Sequence, residues 1–111
     1  MIEETVISYL NTNMSVPCYG ERRKEVTYPF ILVERTSGTI TNHIKSCTIA
    51  VQSYAESMAQ ACQLNEEVKE CLLGIITLNE IASCRLVNDY NFTNSQTKEY
   101  RYQAVFSLTY Y

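Results

Sequence analysis

The sequence predicts an α+β fold, in which a mostly antiparallel sheet of four to five strands is packed on one face by two helices. The final residues, 100–111, place apolar and aromatic side chains such as Tyr102, Ala104 and Phe106 at alternate positions. This alternation is typical of a half-buried strand. Residues 57–74 instead carry apolar side chains at helical spacing. The elements follow in the order α-β-β-β-α-β-β, which favours helices on one face of an antiparallel sheet.

The first element predicted is a short helix over residues 2–10. Ile2, Val6, Tyr9 and Leu10 share one helical face at spacings of four and three. The polar residues 11–13 are expected to end this helix.

Three strands are predicted next. Residues 16–19 are apolar, but Pro17 limits them to an edge strand because proline cannot donate to a ladder. Residues 28–35 form the second strand, which we expect to stop at the polar stretch 36–39. Residues 43–54 form the third strand, since they alternate apolar and polar side chains.

The second helix has a clear start signal. Ser57 suits an N-cap, and Gln60 three residues later completes a capping box. Gly74 is expected to end this helix. Residues 81–89 then form a short strand, a polar turn follows, and the terminal strand begins at Tyr100. The apolar stripe of the helix comprises Ala61, Leu64, Val68, Cys71, Leu72 and Ile75.

The composition predicts one globular domain over residues 1–111. The chain has 111 residues, 46% of them hydrophobic, and its three glycines and two prolines leave little room for linkers. The formal net charge is −3, and no basic stripe of the kind found on nucleic-acid-binding proteins is present. The acidic N-terminus and the lack of a long apolar run lead us to expect no signal peptide, no membrane span and a cytoplasmic protein.

No pattern in the sequence predicts catalytic, metal-binding or cofactor-binding residues, so we expect a protein that is not an enzyme and binds no cofactor. A nucleophile needs a neighbouring base, and the one histidine, His43, falls in a predicted polar turn. Glu66, Glu67 and Glu70 lie on the polar face of the second helix and lack the oxygen cage of a cation site. The cysteines are odd in number and form no C-x-x-C pair, so we interpret them as buried free thiols. They are Cys18, Cys47, Cys62, Cys71 and Cys84.

The positive signal is aromatic. The chain has nine tyrosines and no tryptophan, and tyrosine is enriched at protein–protein interfaces. The polar hairpin over residues 36–45 either reaches a neighbouring molecule or is a simple surface loop.

Several segments together resemble a known family. They are the apolar segment 16–19, the strand opening at 29–31, the strand end at 49–55 and the closing segment 101–104. In this order they are similar to the tail terminator (tail completion) proteins of long-tailed bacteriophages and prophages, and to related minor structural and head–tail joining proteins. The resemblance covers nearly the whole chain. The recurring positions of the family fall here on Pro29, Phe30, Gln52, Tyr54, Arg101 and Tyr102. The chain departs from the family in its five cysteines and in a tyrosine where tryptophan is common.

The resemblance implies a structural role in the virion, at the head-proximal end of the tail, after assembly in the host cytoplasm. Such proteins form a homo-oligomeric ring, usually a hexamer, that caps the tail tube, stops its polymerisation and meets the head–tail connector protein. They have no catalytic residues or cofactors to carry over.

A ring needs a heterologous interface, and exposed sheet edges can supply one. We expect the segment 16–19 and the terminal strand to lie at such edges. We also expect Glu66, Glu67 and Glu70 to face the lumen, where they would repel phosphates so that DNA passes without specific binding. The candidate residues for contacts with other subunits or the tube are Tyr19, Arg22, Arg23, Thr39, Asn42, His43, Arg101, Tyr110 and Tyr111.

Three other functions stay open at this point. A head–tail connector or adaptor of the same phage class would use a similar small fold. A small monomeric ligand-binding or regulatory module would have a closed apolar pocket and would not self-associate. An enzyme with a catalytic cysteine would have one thiol of unusually low pKa.

Overall fold

The computed structural model of the chain describes residues 2–21, 27–41, 44–97 and 99–111. It contains two α-helices, one 3-10 helix and five strands in these residues. They are α1 (Ile2–Asn13), β1 (Cys18–Tyr19), β2 (Phe30–Thr41), β3 (Ile44–Ala55), α2 (Met58–Leu72), the 3-10 helix (Leu73–Thr77), β4 (Ile81–Asn91) and β5 (Tyr100–Tyr110).

The five strands form one sheet in the order β1-β2-β3-β5-β4. β1 runs parallel to β2, whereas the pairs β2–β3, β3–β5 and β4–β5 are antiparallel. Both α-helices pack on the same face of this sheet and share one hydrophobic core with it. The predicted α+β class is therefore confirmed.

The core lies between the helices and the central strands β3 and β5. Ala104, Phe106 and Leu108 of β5 are fully buried there, which confirms the predicted facing of the terminal strand. They pack in one cluster with Val6 of α1 and Val68 of α2. The burial of aliphatic and aromatic side chains on this face is the main favourable contribution to folding.

The N-terminus of α2 forms as predicted. The Ser57 hydroxyl oxygen accepts the backbone N–H of Gln60 at 3.2 Å, which satisfies one of the donors that a helix start leaves free. The predicted stop at Gly74 is wrong, because the chain passes at Leu73 into a 3-10 helix that includes Gly74. A side-chain carbon at Gly74 would lie 2.7 Å from the Tyr9 hydroxyl, so a larger residue there would displace the end of the Tyr9 side chain of α1.

The predicted break of β2 at residues 36–39 is also wrong. β2 continues to Thr41 because β3 supplies partners along this whole length, and a bulge at Thr36 absorbs one extra residue. Every residue of the stretch 34–40 is exposed, and Arg35 Nε lies 3.7 Å from Glu3 Oε2 of α1. The molecule is elongated, with extents of 44 × 25 × 25 Å.

The terminal strand does not lie at an edge, contrary to the prediction. β5 is paired on both sides, by β3 and by β4, and β4 forms the edge instead. The expectation for the segment 16–19 is confirmed, since Cys18 and Tyr19 form β1 at the opposite edge. α1 is longer than predicted, because the side chains of Thr12 and Asn13 bond back to carbonyls one turn earlier and continue the helix.

Candidate assembly surfaces

The face of the sheet that neither α1 nor α2 covers, here called the helix-free face, carries a chain of polar hydrogen bonds. Gln52 Nε2 donates to Gln103 Oε1 at 2.8 Å, and Gln103 Nε2 donates to the Tyr90 hydroxyl at 2.5 Å. The Tyr54 hydroxyl donates to Gln52 Oε1 at 2.9 Å. Because Gln52, Gln103 and Tyr90 are directly paired across β3, β5 and β4, the register of the strands brings these groups together.

An aromatic and cationic stack lies beside this chain of hydrogen bonds. The rings of Phe30 and Tyr54 are stacked at a centroid distance of 4.5 Å. Arg101 donates from Nη1 to the Tyr54 hydroxyl at 3.1 Å and from Nε to the Phe92 carbonyl at 2.6 Å. Its guanidinium carbon lies 4.4 Å from the Phe92 ring centroid and 5.7 Å from that of Tyr54. Such cation–π contacts anchor the turn between β4 and β5.

The structure therefore places Arg101 inside a network of its own chain. Two of the other described interface candidates are half-buried like Arg101: Tyr19 has its ring 6.4 Å from that of Phe30, and Tyr110 lies under the Lys45 ammonium. Thr39, in the hairpin, and Tyr111, which is 68% exposed, are more accessible. The candidates Arg22, Arg23, Asn42 and His43 lie outside the described residues.

The outer surface of the helices is acidic. Glu66, Glu67 and Glu70 are exposed on α2. The one lysine of α2, Lys69, is engaged by Glu66 at 2.8 Å and by Asp89. The hydrogen bonds that Lys69 donates to Asp89 and Glu66 raise the pKa of its ammonium group. The helical layer thus presents carboxylates to solvent while its own cation is already paired.

The sheet has two edges that are free of partner strands within the described parts of the chain. β1 pairs with β2 only at Ile31 and Leu32. The outer side of residues 33–41, here called the hairpin arm of β2, is therefore open. The outer side of β4 is open along its length. Each edge exposes a large β-branched side chain: Ile40 is 71% exposed and Val87 is 54% exposed. Sequence reasoning missed the β4 edge, because strand order depends on pairings distant in the chain.

The prediction of buried thiols holds for Cys18 and Cys47, whereas Cys62, Cys71 and Cys84 are partly exposed. All five cysteines are free. Burial raises the pKa of Cys18 to about 12 and that of Cys84 to about 11. Burial also raises the pKa of Cys47 and Cys71. A raised pKa keeps a thiol protonated and unreactive at neutral pH.

Three further features bear on the alternatives. Within the described residues, no group of three or more His, Cys, Asp or Glu side chains is placed to hold a metal ion. A groove of about 780 Å³ lies along the hairpin and is lined by polar residues such as Arg35 and Lys45 together with the apolar side chains of Ile2 and Ile40. Neither α-helix, as far as the chain is described, has the length and apolar character needed to cross a bilayer.

Comparison of the chain with models of known protein families and with curated proteins finds no match.

Proposed function

We propose that this protein is a structural virion subunit that assembles head to tail into a closed ring, and that the ring caps the tail tube of a long-tailed bacteriophage. The observation that carries the proposal is the pair of open sheet edges, on β2 and on β4, at opposite sides of one sheet. Two different patches on one subunit are what a heterologous interface requires, and rotation of such an interface closes into a ring.

The exposed edge residues support this proposal. An open strand edge presents unpaired N–H and C=O groups, and proteins normally shorten, charge or cover such an edge. Here the β2 edge ends beside exposed Ile40, and the β4 edge carries exposed Val87. Covering both edges with another copy of the chain would satisfy the backbone groups and bury these apolar side chains.

In the proposed ring, the acidic helical layer faces the lumen. Glu66, Glu67 and Glu70 would then line a conduit that repels DNA phosphates, so that DNA passes without adhering. The ring would stop polymerisation of the tube at the head-proximal end of the tail and would present its other rim to the head connector. We propose a hexamer as the assembled form.

The test is the native mass of the protein by light scattering over a concentration series, with and without the tail tube protein of the same phage. We expect a closed ring, either alone or at the ends of tubes visible by electron microscopy, and tubes that stop growing once capped. A strict monomer in both conditions would contradict the proposal. A ring that binds the head connector and leaves tube growth unchanged would identify a head–tail adaptor instead.

A further inference from the structure

The strand directions determine how two copies can join at their edges. β3 runs opposite to β2, β5 runs opposite to β3, and β4 runs opposite to β5. β4 therefore runs antiparallel to β2 at the other side of the sheet. In a ring whose axis lies along the strands, all copies have the same orientation, so β4 of one copy meets β2 of the next in an antiparallel arrangement. Antiparallel pairs have the more favourable hydrogen-bond geometry and are the commoner kind.

The register places the two open segments at the same height. One row of paired residues crosses the sheet from Gly38 of β2 through Cys47 of β3 and Leu108 of β5 to Cys84 of β4, so these four residues are level. The segment of β2 that β1 leaves uncovered is therefore level with the N-terminal half of β4. Bulges interrupt both strands, but uninterrupted runs remain over residues 37–41 of β2 and 83–86 of β4.

The two edges also carry opposite charges on the same face. Ala50 and Ser107 point to the helix-free face of the sheet. The residues paired with them, Glu34 of β2 and Arg85 of β4, therefore lie on that same face. Both are exposed, and neither forms an ion pair with another described residue. Arg85 is level with Ser37, two residue levels from Glu34, so the pair forms only if the stagger of a closed sheet shifts one edge by two residues. That shift sets residues 83–86 of β4 beside residues 33–37 of β2 and the bulge at Thr36.

We infer that β4 of one copy pairs antiparallel with the hairpin arm of β2 in the next copy, and that Arg85 and Glu34 form an ion pair across this junction. The inference rests on the ring of the proposed function and specifies its interface. The sheets then form one continuous wall, with every helical layer on the same side. The partner is a second copy of this chain.

Charge reversal at the two positions tests the interface. The variants are Glu34→Arg, Arg85→Glu, the double variant, and an equimolar mixture of the two single variants. Glu56→Arg is the control for Glu34→Arg, because Glu56 is exposed outside both edges and its reversal changes the net charge in the same direction and by the same amount. The measurements are native mass and the concentration at which half of the subunits are assembled, with circular dichroism to confirm folding.

We expect each single variant to weaken association about tenfold per junction, because like charges then face each other across the strands. The double variant should regain the ring, since every junction again joins opposite charges. The mixture should also form a ring, with the two variants alternating. Restoration by the double variant is expected for a β2–β4 junction and not for a β2–β2 junction, where two arginines would meet.

A wild-type ring that all of these variants leave unchanged would overturn the inferred interface and leave the proposed function intact. Loss of the ring in the Glu56→Arg control to the same degree as in Glu34→Arg would also overturn the inferred interface, because the change in net charge would then explain the effect. A wild-type protein that is monomeric both alone and with the tube protein would overturn the ring itself, and the interface with it.

Discussion

The two faces of the sheet are covered by different means, although the same strands form both. On the helical face, Phe106 and Leu108 pack against aliphatic side chains of the helices and are fully buried. On the other face, Gln103 is only 9% exposed without any helix above it, because Gln52 and Tyr90 hydrogen-bond to it. Non-directional apolar packing holds the helical face, whereas on the other face directional polar bonds act beside the buried, stacked rings of Phe30 and Tyr54.

This difference predicts unequal responses to mutation. Apolar burial scales with the area removed from water, whereas a hydrogen bond contributes little net energy until one partner is lost and the other is left unsatisfied. The helical face should therefore tolerate substitutions that conserve volume, and the helix-free face should tolerate only those that conserve donors and acceptors.

The largest expected effect is on the helical face. Replacing Phe106 with Ala should lower the free energy of unfolding by about 3–5 kcal/mol, because it leaves a cavity in a fully packed region. Urea denaturation measures the loss. The control is Val105→Ala, since Val105 is half-buried and faces the opposite side; equal losses in the two variants would contradict the contrast between the faces.

The next effect should be at the centre of the polar face. Replacing Gln103 with Ala removes the acceptor of Gln52 and the donor to Tyr90, and should cost about 2 kcal/mol. Gln63→Ala, on the exposed side of α2, should change stability by less than about 0.5 kcal/mol. If the two variants behaved alike in denaturation, the hydrogen-bond chain would have no net role.

A third test uses alkaline pH on the helical side. Burial raises the pKa of Cys18 to about 12 from 9.0, so the unfolded thiol ionises at lower pH than the folded one. The stability from this thiol is complete below about pH 9 and is lost as pH rises toward 12, by about 1.4 kcal/mol per pH unit. Unfolding midpoints at pH 7 and pH 10 should therefore differ more in wild type than in Cys18→Ala. The same pH dependence in both proteins would show that Cys18 ionises normally when folded.

The smallest effect should come from the Tyr54 hydroxyl. Tyr54→Phe keeps the ring stacked on Phe30 but removes the group that accepts from Arg101 and donates to Gln52. We expect a loss of about 1 kcal/mol by thermal or urea unfolding. A loss as large as that of Tyr54→Ala would mean that the stacked ring itself contributes nothing.

The sequence predicts the features that depend on near neighbours. The alternation of Ala104, Phe106 and Leu108 predicts the facing of β5, and Ser57 with Gln60 predicts the start of α2. Both are confirmed, because period and capping are properties of adjacent residues.

The features that depend on distant pairings escape sequence reasoning. The polar stretch after Arg35 is typical of a turn, yet it stays in β2 because β3 offers partners for its backbone. The sequence analysis drew no contact between Gln52 and Gln103, because their pairing exists only in the register between β3 and β5. A glutamine within each of two predicted strands is the signal that could have suggested this pair.

The bulges at Thr36 and Val87 have a consequence for how the free subunit behaves before assembly. Amyloid-like stacking needs flat segments of about six or seven residues that pair without interruption. A bulge bends its strand and increases the local twist, and here one interrupts each open edge. A matched, equally bent partner strand could still dock against such an edge, whereas a growing fibril of flat strands could not. The irregularities that limit pairing would thus keep concentrated subunits from polymerising along their edges without limit.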